Sequence, residues 1–457
     1  MTTETKQTKS FGHTMRDEFL FDEKWTNLNH GKLPYVGSYG TYPKSVRKVF
    51  LDYQLAQESQ PDNFVRFNST APLLRARQAI ADLVQAPLET VTFVQNASTG
   101  TNIVLRNLEW EEGDVILTCE TIYGAANKTV QYICETTPAE TVHYVFNQPM
   151  TESDLLSGFR KKIQDVSSES GGKRRVKLAV FDSISSMPGV RWPWEKLVGI
   201  CKEEGVLSCV DGAHGIGAIE LKLGEVDPDF FVSNCHKWLY VPKSVAMFYV
   251  PVRNQHLIRS TLPTSFGLVP KDTSIKPTIV PRPDSGLGDS AYISNFAYYG
   301  TLDNSAIYCV PEAVRFRKEV CGGEDKIRRY CRELVWEGSE IVASTLGTRM
   351  MDVPSQDSPM ANVLLPLALT SEGKLVLDVK ASVEPNKAEV SSAQIVDWLG
   401  RTMVERYDTF MATMEYQGSM WVRLSGQIYL EREDFVKAGE ILKTLCGEVR
   451  AGAVGRV

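Results

Sequence analysis

Short apolar runs rich in β-branched residues alternate with amphipathic stretches through the middle of the chain. Stretches such as 73–84, 99–108 and 194–204 repeat their apolar residues at the spacing of a helix. The runs have the length of buried strands and lie at 91–94, 114–117, 142–145, 176–181, 206–210, 230–232 and 245–250. This alternation predicts an α/β fold, in which a mainly parallel seven-stranded sheet is covered by helices on both faces.

The pattern changes after about residue 305 and predicts a smaller α+β domain. Its expected elements are a helical tract at 311–346, an apolar run at 362–366, a helix from about Ser392, and strands at 410–416 and 420–424. A chain of 457 residues can form two cores, since single cores stop growing at about 250–300 residues. We expect an N-terminal arm at 1–44 that associates with the small domain and the functional site, a large domain at 45–305, and a small C-terminal domain at 306–457.

Composition and charge argue against several classes of function. The net charge is −6, and the dense basic run at 173–177 has no aromatic residues between its charges, so we expect no nucleic-acid partner. The first ten residues are polar and no apolar run reaches the length of a membrane span, so we expect a cytoplasmic protein without a membrane partner. The nine cysteines include no C-x-x-C pair, so we expect reduced, mostly buried thiols and no metal site.

Lys237 is the first candidate for chemistry. It lies in the stretch 233–243, between the apolar runs at 230–232 and 245–250. A lysine at the end of a buried strand is partly desolvated, which favours the unprotonated amine that attacks an aldehyde. The alternative is a lysine on the surface, where most lysines lie.

Asp211 and His214 follow another predicted strand, in the sequence Cys-Val-Asp-Gly-Ala-His-Gly. A buried carboxylate needs a positive partner to stay ionised, and a protonated pyridine nitrogen would be such a partner. His214 could then lie near the phenolic oxygen of the same ring. The alternative for the Asp-Gly pair is a simple turn, which is the commoner use of that dipeptide.

Ser98 and Thr99 stand where a predicted strand ends and a helix begins, in the stretch 95–101. The backbone N–H groups at a helix start, together with a hydroxyl group, can bind a dianionic phosphate. A serine or threonine at this position can equally be an N-cap that needs no ligand.

Five motifs in a fixed order resemble the class V aminotransferase superfamily of pyridoxal-phosphate (PLP) enzymes, which have fold type I. The motifs are Asn96-Ala-Ser-Thr-Gly100, Asp211-Gly-Ala-His214, His236-Lys237-Trp238, Gly300-Thr301-Leu-Asp303 and Val422-Arg-Leu-Ser-Gly-Gln-Ile-Tyr429. The resemblance runs from about residue 25 to the C-terminus. Within the superfamily, the chain is similar to the isopenicillin N epimerase-like proteins, the ergothioneine-pathway carbon–sulfur lyases and the fungal loline-alkaloid pathway enzyme.

This resemblance implies roles for the residues that bind the cofactor. Lys237 would hold PLP as a Schiff base and move the Cα proton, Asp211 would pair with the pyridine nitrogen, and His214 would contact the ring oxygen. Further contacts are implied at the phosphate for Ser98, Thr99, Asn234 and His236, and at the ring for Ser185.

The same resemblance assigns three further residues and makes 45–305 the PLP-binding domain. Gly300 and Thr301 would reach the phosphate of a neighbouring subunit, which implies a homodimer with shared active sites. Tyr123 falls where relatives place a residue that stacks on the ring or donates a proton to a leaving group. An aromatic residue before a glycine can equally serve packing.

Substrate contacts are implied for two segments. Arg423 matches the arginine whose planar guanidinium forks onto a substrate carboxylate, and the alternative is an ordinary surface ion pair. Asn29, His30 and Tyr39 match the segment that helps to line the substrate pocket. In this chain the six residues 32–37 are inserted there, so the substrate of a relative does not transfer simply.

These residues imply an α-amino acid substrate and a Cα carbanion, and they leave the fate of that carbanion open. The resemblance favours elimination or replacement at the side chain in specialised, fungal-type metabolism, with carbon–carbon bond formation and ring closure as one form of it. The alternatives are an ergothioneine-type carbon–sulfur lyase, an amino-acid epimerase, a class V aminotransferase, or a non-catalytic partner protein of the same fold. The stretch 350–361 contains no cysteine, so we expect no protein-persulfide mechanism.

Overall fold

The computed structural model describes residues 9–29, 40–146, 150–264, 267–272, 290–298, 300–375 and 390–455. Contacts within the chain divide these residues into two compact units. The larger unit contains the described residues within 40–184 and 192–316. The smaller unit contains those within 1–39, 185–191 and 317–457.

The larger unit is built on a seven-stranded sheet, which confirms the predicted α/β fold. Its strands are β1 (Val91–Val94), β2 (Asp114–Cys119), β3 (Glu140–Tyr144), β4 (Arg175–Asp182), β5 (Leu207–Asp211), β6 (Phe230–Asn234) and β7 (Ala246–Tyr249). They lie in the order β1-β7-β6-β5-β4-β2-β3. Only β7 runs antiparallel to its neighbours β1 and β6, and the other pairs are parallel.

These strands form because their sequences suit a sheet that is covered on both sides. β1, β2, β6 and β7 are buried along their whole length, as expected for continuous apolar runs in a parallel sheet. β4 and β5 pair in register, so Asp182 and Asp211 lie side by side at their carboxyl ends. Polar residues at the strand ends are therefore brought to one edge of the sheet, where α/β proteins bind ligands.

Helices connect and cover these strands. They are α1 (Lys44–Ser59), α2 (Pro61–Asn63), α3 (Thr70–Leu83), α4 (Ala97–Asn107), α5 (Gly124–Thr136), α6 (Glu152–Glu169), α7 (Trp194–Glu203), α8 (Leu223–Val226), α9 (Cys235–Trp238), α10 (Ala291–Ala297), α11 (Ser305–Tyr308) and α12 (Val310–Arg315). Val104 of α4 and Phe296 of α10 pack into the core with Ile116, Leu178 and Phe248 of the sheet.

The smaller unit has a three-stranded antiparallel sheet in the order β8-β10-β9. Its elements are α13 (Glu324–Leu346), β8 (Met360–Leu364), α14 (Ser392–Tyr407), β9 (Ala412–Tyr416), β10 (Ser419–Ser425) and α15 (Arg432–Arg450). The tract predicted as one helix at 311–346 is broken by a π-helical turn, Phe316–Val320, and by Gly322 and Gly323, which both have positive φ. None of the described helices is both long enough and apolar enough to cross a membrane.

Candidate active site

Lys237 lies in the short helix α9, directly after strand β6. Its side chain is only 6% exposed, and its Nζ is 2.9 Å from Nε2 of His214, which is itself buried. The other ring nitrogen of His214, Nδ1, accepts a hydrogen bond of 3.1 Å from the indole Nε1 of Trp238. The structure therefore brings two predicted residues together and adds Trp238, whose role the sequence did not indicate.

The hydrogen bonds around His214 determine the state of the lysine. The indole N–H of Trp238 can only donate, so Nδ1 of His214 must accept, and the imidazole proton resides on Nε2. This Nε2–H points at Nζ of Lys237, and two donors cannot form a hydrogen bond with each other. The arrangement therefore requires Lys237 as the neutral amine, which is the form that attacks an aldehyde.

Asp211 ends strand β5 and is only 3% exposed. Its Oδ1 accepts a hydrogen bond of 3.0 Å from the backbone N–H of Ala213, which fixes the direction of the carboxylate. Asp182 lies beside it in the register of β4 and β5 and is also buried. Two adjacent buried carboxylates favour a cation at this edge of the sheet. We call Asp211, His214, Lys237 and Trp238 the lysine cluster.

The start of helix α4 is the predicted phosphate site, and three of its amides already have partners within the protein. The N–H of Ala97 donates to Oδ1 of Asn234 at 2.8 Å, and the N–H of Thr99 donates to Oδ1 of the N-cap Asn96 at 2.8 Å. The N–H of Gly100 donates to the carbonyl of Asn96 at 3.1 Å. Asn234 thus anchors the start of α4, and the expected phosphate contacts of Ser98 and Thr99 stay predictions.

His236 is held by a contact of 3.1 Å between its Nδ1 and the carbonyl oxygen of Val245. Burial lowers the pKa of His236 to about 4. The imidazole is therefore neutral at physiological pH. In that state Nδ1–H donates to the carbonyl, which leaves Nε2 as an acceptor.

Gly40 approaches the backbone of the lysine segment very closely. A Cβ atom at this position would lie 1.7 Å from the carbonyl oxygen of His236 and 2.7 Å from that of Lys237. No side chain fits there, because neither neighbour is a flexible atom. Gly40, which follows Tyr39 in the sequence, is thus a steric requirement of the segment that carries Lys237.

Arg423 lies in strand β10 and is fully buried. Its Nη1 donates to the carbonyl oxygen of Ser186, and its Nη2 donates to Oδ1 of Asn29 at 3.0 Å. Two residues predicted to contact the substrate, Asn29 and Arg423, are therefore in direct contact. Burial lowers the pKa of Arg423 to about 9, so the guanidinium stays charged at neutral pH in surroundings where a carboxylate would bind it strongly.

Gly189 lets the 185–191 segment lie against this arginine. A Cβ atom on Gly189 would be 2.7 Å from Cδ of Arg423 and 3.2 Å from Cβ of Met360. The sequence analysis assigned no role to this glycine. We call Asn29, Ser186, Gly189 and Arg423 the arginine cluster.

The other predicted residues lie in several surroundings. The hydroxyl of Ser185 donates to the carbonyl of Pro188 within a tight turn, and Tyr123 is the residue before helix α5. Thr301 is exposed, with its hydroxyl 3.4 Å from that of Tyr298. Gly300 is half-buried. Two substrate predictions, His30 and Tyr39, fall outside the described residues.

Asp303 ends the motif that carries Gly300 and Thr301. Burial alone would raise the pKa of Asp303, but hydrogen bonds from Ser305 and Gln54 bring it below its ordinary value. Gln57 donates to the same carboxylate at 3.0 Å. These bonds tie the motif to helix α1.

All nine cysteines are free thiols, and eight of them are buried. Burial raises the pKa of Cys309, Cys321 and Cys331 to about 12. A thiol in this state is a poor nucleophile, because the thiolate is the reactive form. These three cysteines, which are the ones in or near the helical tract of the tail, are unsuited to carrying a persulfide.

The lysine cluster fits pyridoxal phosphate by its own chemistry. The neutral amine of Lys237 suits the aldehyde of the cofactor, and the buried carboxylate of Asp211 suits a protonated pyridine nitrogen. Helix α4 starts at the same edge of the sheet, where Asn234 holds it against the end of β6. A helix start of this kind suits a phosphate.

Comparisons with known proteins give a family match and relatives that cover nearly the whole chain. The family described as aminotransferase class V matches residues 45–268. The chain is 38% identical over 457 residues to the L-cysteine desulfhydrase-like protein lolT1 of Epichloe uncinata, covering 98% of each chain. It is 30% identical to the hercynylcysteine sulfoxide lyase of Schizosaccharomyces pombe, covering 95% of this chain and 98% of that one.

A solved structure shows the same fold at low sequence identity. The apo structure of a cysteine desulfurase from Thermococcus onnurineus NA1 matches 96% of this chain and 99% of its own, with a TM-score of 0.72 at 16% identity. Family match, whole-length relatives and fold thus agree with the resemblance read from the five motifs. The chain belongs to the class V aminotransferase family of pyridoxal-phosphate enzymes.

Proposed function

We propose that this enzyme is a lyase that breaks a carbon–sulfur bond at the β carbon of an α-amino acid. The observation that carries the proposal is the contact between Lys237 and His214, which holds a neutral lysine amine in a buried site. Such a lysine can hold the cofactor and serve as a base.

The choice of a sulfur leaving group is supported by the relatives. Two of them, at 38% and 30% identity over nearly the whole chain, have names that refer to cysteine desulfhydrase-like and sulfoxide lyase proteins. The matches cover 98% and 95% of this chain and 98% of each relative. The buried cysteines support release of sulfur with the leaving group, without transfer to the protein.

Bound pyridoxal phosphate supplies an electron sink for negative charge that develops at Cα. Asp211 keeps that sink effective by holding the pyridine nitrogen protonated. Nζ of Lys237 takes the proton from Cα, and the Nε2–H of His214 keeps the amine oriented for this transfer. Arg423 binds the α-carboxylate in two parallel hydrogen bonds and so fixes which bond at Cα is broken.

Loss of the leaving group completes the elimination. The Cβ–S bond breaks with its electron pair on sulfur, and the sulfur takes a proton to leave as a thiol. We assign that proton to Tyr123, whose position before helix α5 keeps its side chain half-buried. Water then releases pyruvate and ammonia from the remaining carbon skeleton, so no external oxidant or reductant is needed.

Replacement chemistry is the second candidate. The six inserted residues at 32–37 lie between Asn29 and Gly40 in the sequence. Asn29 belongs to the arginine cluster, and Gly40 lies against the backbone of His236 and Lys237. A changed pocket at this place could admit a second substrate that attacks Cβ in place of water. Such a reaction would form a carbon–carbon or carbon–heteroatom bond and would suit specialised, alkaloid-type metabolism.

We also propose that the enzyme is a homodimer in which Gly300 and Thr301 serve the partner's phosphate site. Thr301 is exposed, and apolar side chains stand exposed on helix α1, where Leu51 is 47% and Leu55 is 67% exposed. Covering these leucines would remove apolar surface from water. Mixing Lys237→Ala chains with Thr301→Trp chains should restore part of the lost activity if the sites are shared.

The experiment that tests the function is a product assay on purified enzyme. Candidate substrates are L-cysteine, S-alkyl cysteines and their sulfoxides. The measured products are pyruvate and ammonia, together with hydrogen sulfide from L-cysteine, a thiol from the S-alkyl cysteines and a sulfenic acid from the sulfoxides. We expect equal amounts of pyruvate and ammonia, and a loss of about 10⁴-fold in Lys237→Ala. Lys243→Ala, six residues further along and exposed, is the control and should keep full activity.

Two results would contradict the proposal. Consumption of an amino acid together with a second substrate, without pyruvate, would favour replacement chemistry. Formation of a new amino acid from a keto acid would favour transamination.

A further inference from the structure

Asn362 is a buried amide whose hydrogen-bonding capacity is not met. It lies in strand β8 and is 2% exposed. Neither its Oδ1 nor its Nδ2 has a hydrogen-bond partner among the residues that the structure describes. A buried amide without partners lowers stability, and such a group in a folded protein needs an explanation.

The position of Asn362 in the small sheet supplies an explanation for its amide, which has no partner among the described residues. In the antiparallel pairing of β8 and β10, Asn362 lies directly opposite Arg423. Side chains that are directly opposite project from the same face of a sheet, with Cβ atoms about 5 Å apart. On the other side of Arg423, the directly opposite residue is Ala412, whose side chain carries no polar group.

Two further polar groups share this surrounding. Ser425 lies two residues beyond Arg423 on β10 and therefore on the same face, and Ser186 gives its carbonyl to the arginine. Within the described part of the chain, the hydroxyl groups of both serines are buried without hydrogen-bond partners. We call Asn362, Arg423 and Ser425 the polar face of the small sheet.

We infer that Asn362 is a second carboxylate-binding residue, which donates its amide N–H to the same α-carboxylate that Arg423 binds. This inference rests on the proposed function, because it needs an amino-acid substrate. A carboxylate offers about four acceptor positions, and the fork of an arginine uses two of them. The Nδ2 of Asn362 supplies a further donor from the neighbouring strand and makes the site selective for a planar carboxylate.

A ligand role and a structural role predict opposite changes in stability. If Asn362 is kept for a ligand, Asn362→Leu removes an unpartnered buried amide and raises the melting temperature of the ligand-free enzyme or leaves it unchanged. Asn254→Leu is the matched control. Asn254 is buried too, but its Nδ2 donates to Oδ1 of Asp229 at 2.7 Å, so its loss should lower the melting temperature.

Binding is then measured by titrating the cofactor absorption of holoenzyme with L-alanine and with L-alaninamide, which lacks the carboxylate. We expect Asn362→Leu to weaken L-alanine binding by about 10- to 100-fold, since a hydrogen bond to a charged group is lost. Binding of L-alaninamide should change by less than about twofold. Asn254→Leu should change neither affinity.

The outcomes separate this inference from the proposed function. A wild-type enzyme that neither binds L-alanine nor releases pyruvate from any cysteine derivative would overturn the proposed function and this inference with it. A wild type that does both, with Asn362→Leu binding L-alanine normally or losing both ligands equally, overturns the role of Asn362 alone. A melting temperature that falls in Asn362→Leu as far as in Asn254→Leu also overturns it.

Discussion

The hydrogen-bonded chain of Lys237, His214 and Trp238 in the lysine cluster differs from the polar face of the small sheet in how its buried polar groups are satisfied. In the lysine cluster, Lys237, His214 and Trp238 are joined by two hydrogen bonds of 2.9 and 3.1 Å. On the polar face, Asn362 and Ser425 keep side-chain atoms that no described residue satisfies. Both sets are almost completely buried.

This difference matches two tasks. A group that stays bound through every turnover can be held by side chains already fixed to one another, because preorganised donors need no rearrangement. A substrate that arrives and leaves must find donors that are not yet occupied. Buried polar groups without described partners can therefore mark the place where the substrate binds. Polar groups that are already hydrogen-bonded to one another mark the place of the cofactor.

The largest expected effect on substrate binding comes from removing the charge of the arginine cluster. Arg423→Ala should lower kcat/KM by about 10²- to 10³-fold, mainly through KM, since truncating one partner of a buried charged pair costs about 2–5 kcal/mol. Arg423→Lys should recover little of this loss, because an ammonium group cannot form two parallel bonds. Steady-state kinetics would check both variants. A decrease of kcat with unchanged KM would contradict the distinction between the arginine cluster, which binds the substrate, and the lysine cluster, which holds the cofactor.

Two glycines allow a sharper contrast. Gly40→Ala should prevent normal cofactor binding, since the new Cβ would meet the His236 carbonyl at 1.7 Å. Gly189→Ala should keep the cofactor and raise KM several-fold, since its Cβ would displace the flexible side chain of Arg423. Cofactor absorption and KM are the measurements, and Gly199→Ala, with no atom within 4 Å of its Cβ, is the control.

A smaller effect is expected from the indole that orients His214. Trp238→Phe removes the donor to Nδ1, so the ring can protonate or change tautomer, and kcat should fall about 10-fold. The acid limb of the pH–rate profile should also move to higher pH. Trp194→Phe is the matched control, because the buried Nε1 of Trp194 has no partner within the described ranges, and its profile should stay unchanged.

The smallest effect concerns stability alone. The pKa of His236 is lowered to about 4 from an ordinary value of 6.5, so the unfolded chain binds this proton first as the pH falls. The free energy of unfolding should therefore decrease as the pH falls from about 6.5 to about 4, and this part of the stability should be fully present above about pH 6.5. Denaturant unfolding of His236→Gln should show a weaker decrease across this window. An equal decrease in both proteins would contradict the assignment.

The sequence predicted the large sheet well, because the apolar runs that indicate its strands are local. Each of the seven strands corresponds to one apolar run, and Lys237 and Asp211 stand near strand ends that can be read from the chain. The tail was harder. Its final helix, α15 (Arg432–Arg450), went unpredicted, and two glycines and a π-helical turn interrupt a tract whose apolar spacing continues.

The finer arrangement of the site depends on contacts between distant residues. Gly40 meets His236, Trp238 bonds to His214, and Asn362 pairs across strands with Arg423. No local sequence pattern indicates any of these three contacts. Glycine, tryptophan and asparagine are usually read as turn, core and surface residues, and only the tertiary structure shows what each one touches.

The most direct test of the account is to find which side chain carries the cofactor. Borohydride reduction of the purified holoenzyme, followed by peptide mass spectrometry, fixes the cofactor to the lysine that holds it. We expect to find the reduced cofactor attached to the peptide that contains Lys237, both in the wild type and in Arg423→Ala. Attachment to a different lysine, with Lys237 unmodified, would contradict it.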